Sequence, residues 1–414
     1  MPFGMSDSTS SPFESLRYRP YSWFLIGGFT LFIANQIQMV VLGWQIYSLT
    51  QNPLSLGLIG LSEALPFLSL TLVGGYLADR WDRKTQCLIS LVPILGGAVL
   101  LVVDNWTSPT QHVWVFYLAQ ALGGVGRAFF RPAYQALAAD LVPKESYVNA
   151  STMRSSTFHI SMVIGPVLGG FLIPLGYRAA YASVGLLVLC TMIAYLKIQP
   201  LVRFKREDSD QTRFFDGVRF VFTEKIVLGA LTLDLFAVLF GGATSLLPIF
   251  ARDILQVGEK GFGLLRSAPA LGSIMMSLWL TFYPPVRHMG RWLLTCVFIF
   301  GLGWIAFALS QSFILSLMIL VICGAADNVS VIMRSALVQT QTPRHLMGRV
   351  GAVNSFFIGS SNEIGAFESG MAAKLIGVVP SVVFGGLMTL TTVGTVAWKI
   401  PALRKLDRLE DAQS

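Results

Sequence analysis

Long apolar runs dominate this chain, and each is long enough to cross a lipid bilayer. A helix of about 20 apolar residues covers a hydrocarbon core about 30 Å thick. Only 13% of the residues are charged and 54% are hydrophobic, whereas a soluble chain carries about 25% charged residues. The sequence therefore predicts an all-α, multi-pass membrane protein. Apolar stretches bounded by charge, Pro and Gly predict twelve spans, at 22–49, 54–78, 85–103, 112–139, 147–173, 178–197, 226–251, 260–284, 291–310, 313–341, 346–376 and 380–400.

Positive charge is unevenly distributed among the loops. With both termini placed inside, 21 of the 30 Lys and Arg residues fall in inner segments, and 3 (Arg178, Arg252 and Lys260) fall in outer loops. Cytoplasmic loops carry an excess of Lys and Arg, so this bias predicts cytoplasmic termini. It also accounts for the net charge of +8. A nucleic-acid partner is not expected, because such a site gathers its charge on one soluble face.

A long polar stretch divides the chain into two halves. We expect a cytoplasmic N-terminus at 1–21, an N-terminal six-helix half at 22–197, a cytoplasmic linker at 198–225, a C-terminal six-helix half at 226–400 and a cytoplasmic C-terminus at 401–414. The two halves look related, since Gly170 and Gly370 lie at an offset of 200 residues. In the same way Leu56-Gly57-Leu58 corresponds to Phe262-Gly263-Leu264. Two parallel repeats of six helices predict a transporter with the substrate path between them.

Two motifs lie within this pattern. The turn after the second span reads Gly74-Gly75-Tyr76-Leu77-Ala78-Asp79-Arg80-Trp81-Asp82-Arg83-Lys84, and the fifth span contains Ser161-x-x-x-Gly165-Pro166-x-x-Gly169-Gly170. The turn resembles the signature of the major facilitator superfamily. The stretches from Arg131 to Leu137 and from Leu246 to Ala251 are similar to its siderophore (enterobactin) exporter branch. The resemblance covers residues 15–400 and implies secondary transport by alternating access, with export across a bacterial inner membrane.

The resemblance also implies roles for both motifs. The turn is expected to latch the halves together when the inner end is closed, and the latch candidates are Gly75, Asp79, Arg80, Arg83 and Asp140. A carboxylate such as Asp79 can rest against the positive end of a helix near the start of the eleventh span. The Gly-Pro motif is typical of exporters that work as antiporters, which singles out Gly165, Pro166, Gly169 and Gly170. Ser161 replaces the glycine with which that motif usually opens.

Ionisable residues at membrane depth are costly and are therefore functional candidates. The candidates for proton coupling or cavity charge are Glu63, Arg127, His159, Asp234, Asp327 and Glu363. A structural role in buried ion pairs is the alternative. Proton-coupled relatives usually carry an Arg in the fourth span, and Gln120 stands there in this chain. Arg127 lies two helical turns further along nearly the same face and can substitute at a different depth.

Gln38, Trp44, Arg266 and Phe240 are the candidates for the substrate cavity. Aromatic side chains suit planar catechol or drug-like ligands, and an arginine would neutralise an anion. We expect export of a siderophore in exchange for protons. A multidrug or macrolide pump is the alternative, and a cationic-drug pump would require an exposed carboxylate in the cavity.

A membrane receptor or enzyme is a further alternative of another class. The sequence contains no HExxH, GxSxG or P-loop motif, and its loops are short. Single cysteines within apolar runs do not form a disulfide or metal-ligand pattern (Cys87, Cys190, Cys296 and Cys323). We therefore expect no enzyme activity, no cofactor and no metal. The expected partners are a small-molecule substrate, protons and the lipid bilayer, with the chain working as a monomer.

Overall fold

Helices make up most of the described part of the chain, and short turns join many neighbouring helices. The computed structural model describes residues 14–107, 111–199, 214–241, 243–283, 288–343 and 346–407, and these residues contain no β-strand. The α-helices are α1 (Arg19–Thr50), α2 (Pro53–Arg80), α3 (Arg83–Thr107), α4 (Val113–Asp140), α5 (Tyr147–Leu172), α6 (Tyr177–Leu196), α7 (Phe214–Thr223), α8 (Lys225–Gly241), α9 (Leu247–Ile249), α10 (Gly258–Phe282), α11 (Met289–Leu309), α12 (Phe313–Gln341), α13 (Met347–Ile376), α14 (Val378–Lys399) and α15 (Pro401–Lys405). Short 3-10 segments (Glu14–Arg17, Lys144–Ser146, Ile173–Leu175 and Ala243–Leu246) and one π-helical segment (Phe250–Ile254) complete this set.

Ten segments in the described part of the chain are both long enough and apolar enough to cross a membrane. One of them runs from Lys225 to Ile254 and includes α8 and α9. Two other helices, α10 with 25 residues and α13 with 30, are long enough but lie outside this apolar set. The charged Glu368 and Lys374 make α13 more polar than its neighbours. The all-α membrane fold is confirmed, and these twelve long segments lie where the sequence predicts spans.

Turn chemistry sets where several helices begin and end. The Asn52 side chain accepts a hydrogen bond from the Leu54 backbone N–H at 3.1 Å, which caps the start of α2. Gly176 and Gly377 precede α6 and α14 with φ angles of 106° and 92°. Side chains other than glycine rarely adopt this region of φ, so glycine permits both sharp turns. The two turns occupy equivalent places in the two halves of the sequence.

The helices pack in two groups. α1 to α6 contact one another, and so do α8 and α10 to α14. Contact between the groups runs chiefly along two seams, with α2 against α13 and α5 against α10. A substrate path between the groups is therefore bounded by these two helix pairs.

The two ends of the bundle differ in charge. One end carries the turn at 80–84, where the Lys84 ammonium donates to the Ile198 carbonyl oxygen at 2.7 Å. The same end holds the first described residues, since the Ser15 backbone N–H donates to the Asn149 side chain at 3.0 Å. We call this the basic end and the other the opposite end. Residues 1–13, 408–414 and part of the expected linker, 200–213, lie outside the described residues.

Two glycine crossings join the groups near the opposite end. A Cβ atom built on Gly57 of α2 would lie 3.2 Å from the Gly370 Cα of α13. One built on Gly263 of α10 would lie 3.1 Å from the Gly170 Cα of α5. Small residues allow helix backbones to approach this closely. These are the glycines that the internal sequence comparison relates, so the structure brings the repeats together as two equivalent crossings.

Candidate substrate cavity

A cavity of about 690 Å³ lies between the two helix groups. It is lined from one side by α1, α2, α4 and α5, and from the other by residues around α8 to α10 and by α13. Charged side chains in its described wall are Glu63, Arg127, Arg131, Arg154 and Arg266. Aromatic side chains in the wall are Phe32, Phe67, Phe130, Tyr134, Phe158 and Phe262. The volume lies within the range of cavities that hold drug-sized organic molecules.

Glu63 anchors a chain of polar side chains in this wall. Its carboxylate forms an ion pair with Arg127 of α4, and its second oxygen accepts a hydrogen bond from the Gln120 side chain at 3.0 Å. The Gln38 side chain of α1 donates to Gln120 at 2.8 Å. Glu63 and Gln120 are each only 2% exposed. This chain of contacts stabilises a buried carboxylate, because each acceptor oxygen has a donor.

The remaining arginines differ in their surroundings. Arg266 of α10 donates to the Thr244 carbonyl oxygen at 3.0 Å. The Arg154 guanidinium carbon lies 6.0 Å from the centre of the Tyr134 ring, a cation–π distance. Arg131 is exposed to the cavity. The described wall thus carries four arginines and one carboxylate, and an anion is favoured there over a cation.

Aromatic rings form one side of the cavity. Phe32 of α1 meets Tyr134 of α4 edge-on at 5.7 Å between ring centres and Phe158 of α5 edge-on at 5.2 Å. Edge-to-face pairs at such distances are favourable and rigid. A planar ligand would find a firm apolar surface beside the arginines.

Several predicted site residues lie outside this wall. Gln38 is buried behind Gln120. Trp44 is buried and stacks on Phe262 with ring centres 5.9 Å apart, which places it where α1 meets α10. Phe240 stacks on Phe236 at 6.0 Å and belongs to the packing of α8.

Asp234, Asp327 and His159 are not among the described lining residues of the cavity. Asp234 of α8 forms an ion pair with Arg334 of α12, which is 2% exposed. Asp327 on α12 and His159 on α5 are half-buried. The side chain of Glu363 lies outside the described residues.

The charged turn has a defined structure at the basic end. Arg83 of α3 donates to both carboxylate oxygens of Asp140 at the end of α4, at 2.7 and 2.8 Å. Asp82 accepts from the Thr85 backbone N–H at 2.8 Å and so caps the start of α3. Asp79 and Arg80 are exposed. A Cβ on Gly75 would meet nothing within 4 Å. The side chains of 348 and 349, where the latch partner is expected, lie outside the described residues, and the latch stays a prediction.

The Gly-Pro motif packs α5 against both groups. A Cβ on Gly169 would lie 2.9 Å from the Val40 Cβ of α1, and one on Gly165 would meet the Gln36 side chain of the same helix. Gly170 forms the crossing with Gly263 of α10. Pro166 contributes its carbonyl oxygen to that crossing, 2.6 Å from where a Cβ on Gly263 would lie. The motif therefore sets how closely α5 approaches its partners.

The spanning helices and the cavity between them define a multi-pass membrane transporter. The chain belongs to the Major Facilitator Superfamily, whose family model matches residues 24–366. Because the chain belongs to this family of transporters, it is not an enzyme. Similar solved structures share the fold, among them the POT family transporter PepTSo (TM-score 0.78, 13% identity, 94% of this chain and 98% of that one). A bacterial homologue of the human lysosomal transporter Spinster in an inward-facing and unoccupied conformation gives a TM-score of 0.69 at 16% identity, over 94% of this chain and 96% of that one.

Named relatives include exporters of two kinds. The enterobactin exporter EntS of Salmonella typhimurium strain LT2 is 26% identical over 88% of this chain and 91% of its own length. The multidrug efflux pump Tap of Mycolicibacterium fortuitum is 25% identical over 94% of this chain and 97% of its own length. The staphyloferrin A transporter of Staphylococcus aureus is 23% identical over 62% of this chain, and the match spans 65% of that relative.

Two cavity arginines were not selected from the sequence as site residues. Arg131 lies four residues after Arg127, which places both on one face of α4. That spacing was a usable signal. For Arg154 the sequence signal is its charge within a span, whereas its approach to Tyr134 depends on how α5 packs beside α4.

Proposed function

We propose that this protein exports a small aromatic anion of the siderophore class by alternating access. The observation that carries the proposal is the charge of the cavity, whose described wall has four arginines against one carboxylate, Glu63, already paired with Arg127. A cationic drug would be repelled by such a wall, whereas carboxylate or catecholate groups would be neutralised. The similarity to the enterobactin exporter EntS supports the same substrate class.

Alternating access would act through the two seams. In this structure the groups meet at the glycine crossings near the opposite end, and the Tyr47 hydroxyl donates to Asp253 between the groups. The cavity reaches toward the basic end as far as Gln135 and Ser151. Transport then requires the crossings to part while the basic end closes. We propose that the halves 22–197 and 226–400 move as the two units, and that Gly75, Asp79 and Arg80 help to latch the closed basic end.

Proton exchange is the proposed drive, and Glu63 is the proposed proton carrier. Glu63 is the one acidic residue among the described lining residues of the cavity. The polar chain through Gln120 and Gln38 holds its carboxylate in place. The positive-inside bias supports an orientation with the basic end and both termini in the cytoplasm. The similarity to the enterobactin exporter EntS supports the proposed bacterial inner-membrane location. We propose that a single chain is the working unit, since both helix groups that line the cavity belong to the same chain.

A measurement of siderophore secretion distinguishes the proposed siderophore exporter from the alternative, a drug pump. The gene would be deleted in its own host, and siderophore in the medium would be measured beside susceptibility to a panel of cationic drugs. We expect reduced siderophore secretion that the intact gene restores, with unchanged drug susceptibility. Unchanged secretion with increased drug susceptibility would instead assign the protein as a drug pump.

A vesicle assay tests the transport step directly. Inverted membrane vesicles that contain the protein would be given a labelled catecholate siderophore, with and without an acidic interior. Proton exchange predicts faster uptake when the interior is acidic. Uptake that does not depend on the pH gradient would refute proton drive. It would remain compatible with export driven in another way.

A further inference from the structure

Two arginines in the cavity wall, Arg131 and Arg154, form no ion pair with any carboxylate in the described part of the chain. Arg127 is paired with Glu63, and Arg266 donates to the Thr244 carbonyl oxygen. A charge at membrane depth is costly unless it is paired or faces a water-filled cavity, and such charges mark substrate pathways. These two cations therefore stand where a ligand can supply the missing negative charge.

Both cations belong to one region of the cavity. Arg131 and Tyr134 are three positions apart on α4 and so lie on the same face of the helix. The Arg154 guanidinium carbon, on α5, lies 6.0 Å from the centre of that same Tyr134 ring. We call Arg131, Tyr134 and Arg154 the two-arginine subsite. A ring-sized ligand placed against Tyr134 would lie beside Arg154 and along the face of α4 that carries Arg131.

The surroundings of the subsite suit a polar aromatic ligand. Gln135 and Ser155 line the cavity next to the arginines and offer neutral hydrogen-bond groups. Phe32 and Phe158 form the adjoining apolar surface, edge-on to one another. The ligand thus meets charge, neutral polar groups and aromatic rings within one pocket.

The subsite also touches the boundary between the two helix groups. The Arg131 Nη1 atom lies 4.0 Å from where a Cβ would stand on Gly359 of α13. The Phe67 ring is 3.1 Å from the same point. A ligand held by Arg131 would therefore lie against α13, and its presence would affect how the two groups come together.

We propose that the two-arginine subsite binds an aromatic dianion, with one acidic group on each arginine and the ring against Phe32 and Phe158. The inference rests on the proposed function, because it names the ligand chemistry of that cavity. Arginine offers a planar fork that pairs with a carboxylate through two parallel hydrogen bonds. Two such forks select a ligand with two acids over a ligand with one.

Three probes built on one benzene ring test the subsite. They are isophthalate with two carboxylates, benzoate with one, and the neutral isophthalamide, each titrated calorimetrically into the purified full chain at pH 7. Wild-type protein should bind isophthalate at least tenfold more tightly than benzoate, and isophthalamide weakest. Arg131→Gln and Arg154→Gln should each reduce isophthalate affinity at least tenfold and bring it close to benzoate affinity. Arg291→Gln is the matched control, since Arg291 is exposed on α11 at the basic end, outside the cavity wall.

A second pair of variants distinguishes loss of binding from loss of folding. Arg131→Lys and Arg154→Lys keep the charge but lose the fork, so they should bind isophthalate with an affinity between wild type and the Gln variants. Isophthalate binding that is unchanged in both Gln variants would overturn the subsite. Equal wild-type affinity for isophthalate and isophthalamide would overturn it as well. Neither result bears on siderophore secretion, so failure of the subsite and failure of the proposed function are separately visible.

Discussion

Glu63 of α2 and Arg127 of α4 form an ion pair in the wall of the cavity, and Gln120 donates to the second oxygen of the same carboxylate at 3.0 Å. The pair places a titratable acid and a fixed cation at the position where ligand and proton would meet. Because the charge of Arg127 is already compensated, its effect on a ligand depends on the protonation of Glu63.

Glu63→Gln should separate transport from its proton drive. The amide keeps the size of the side chain but cannot carry a proton or a charge. We expect accumulation driven by a pH gradient to fall to background in vesicles, while exchange of labelled for unlabelled substrate continues. Glu145→Gln is the control, because Glu145 is exposed at the basic end and makes the same chemical change outside the cavity. Normal pH-driven accumulation in Glu63→Gln would show that another group carries the proton.

Asp79→Asn should slow transport without lowering abundance. A carboxylate near a helix N-terminus contributes about 0.3–1 kcal/mol when exposed, so its loss would shift the balance between the two conformations about two- to fivefold. The rate should fall by a similar factor in vesicles matched for protein content. Arg291→Gln, in the corresponding turn of the second half, should have a smaller effect. A wild-type rate for Asp79→Asn would leave the turn with a topological role alone.

Gly57→Ala and Gly263→Ala should each open the opposite end. The added methyl group would stand 3.2 Å or less from the partner helix, closer than van der Waals contact allows, so the crossing must widen. Spin labels at Leu175 and Leu309, both exposed and on different helix groups, would report the distance across this end in a background without native cysteines. We expect longer distances in both variants and slower transport.

Gly185→Ala is the control for these two substitutions. Gly185 lies within α6, and a Cβ there meets nothing within 4 Å. Its distances and rates should match the wild type. Unchanged distances in Gly57→Ala and Gly263→Ala would mean that neither crossing closes this end.

Asp234→Asn should destabilise the protein rather than uncouple it. Arg334 is 2% exposed and would lose its partner, and breaking one side of a buried ion pair costs about 3–5 kcal/mol. The melting temperature in detergent should fall markedly. The double variant Asp234→Leu with Arg334→Met should recover most of that loss, because it removes both charges together. A stable Asp234→Asn protein that has lost proton drive would instead assign coupling to Asp234.

Local sequence was sufficient to predict most of the fold. Runs of apolar residues located the spans, because a bilayer demands a minimum apolar length from each helix whatever its neighbours are. The correspondence of Gly57 with Gly263 and of Gly170 with Gly370 was also readable, since a repeat is a property of the linear chain. The sequence did not show that each of these glycines would contact a glycine of the other half in the folded protein.

The candidate site was only partly predictable. Charge at membrane depth predicts Glu63 and Arg127 as site residues, Arg266 is a predicted cavity residue, and all three line the cavity. Aromatic character predicts Trp44 and Phe240 for the cavity, but residue type does not report the face of the helix on which a side chain lies. Both rings pack against a neighbouring helix, Trp44 on Phe262 and Phe240 on Phe384.

The sequence by itself determined that this chain spans a membrane as two related sets of helices, with its positive charge gathered at one end. Only the tertiary structure decided which membrane charges compensate one another. Glu63 lies with Arg127 and Asp234 with Arg334, while Arg131 and Arg154 face the cavity beside Tyr134. The physical reason is the distance along the chain over which each effect acts. Hydrophobic length and charge bias act within one helix or loop, whereas an ion pair or a pocket depends on the rotation and contact of helices far apart in the chain.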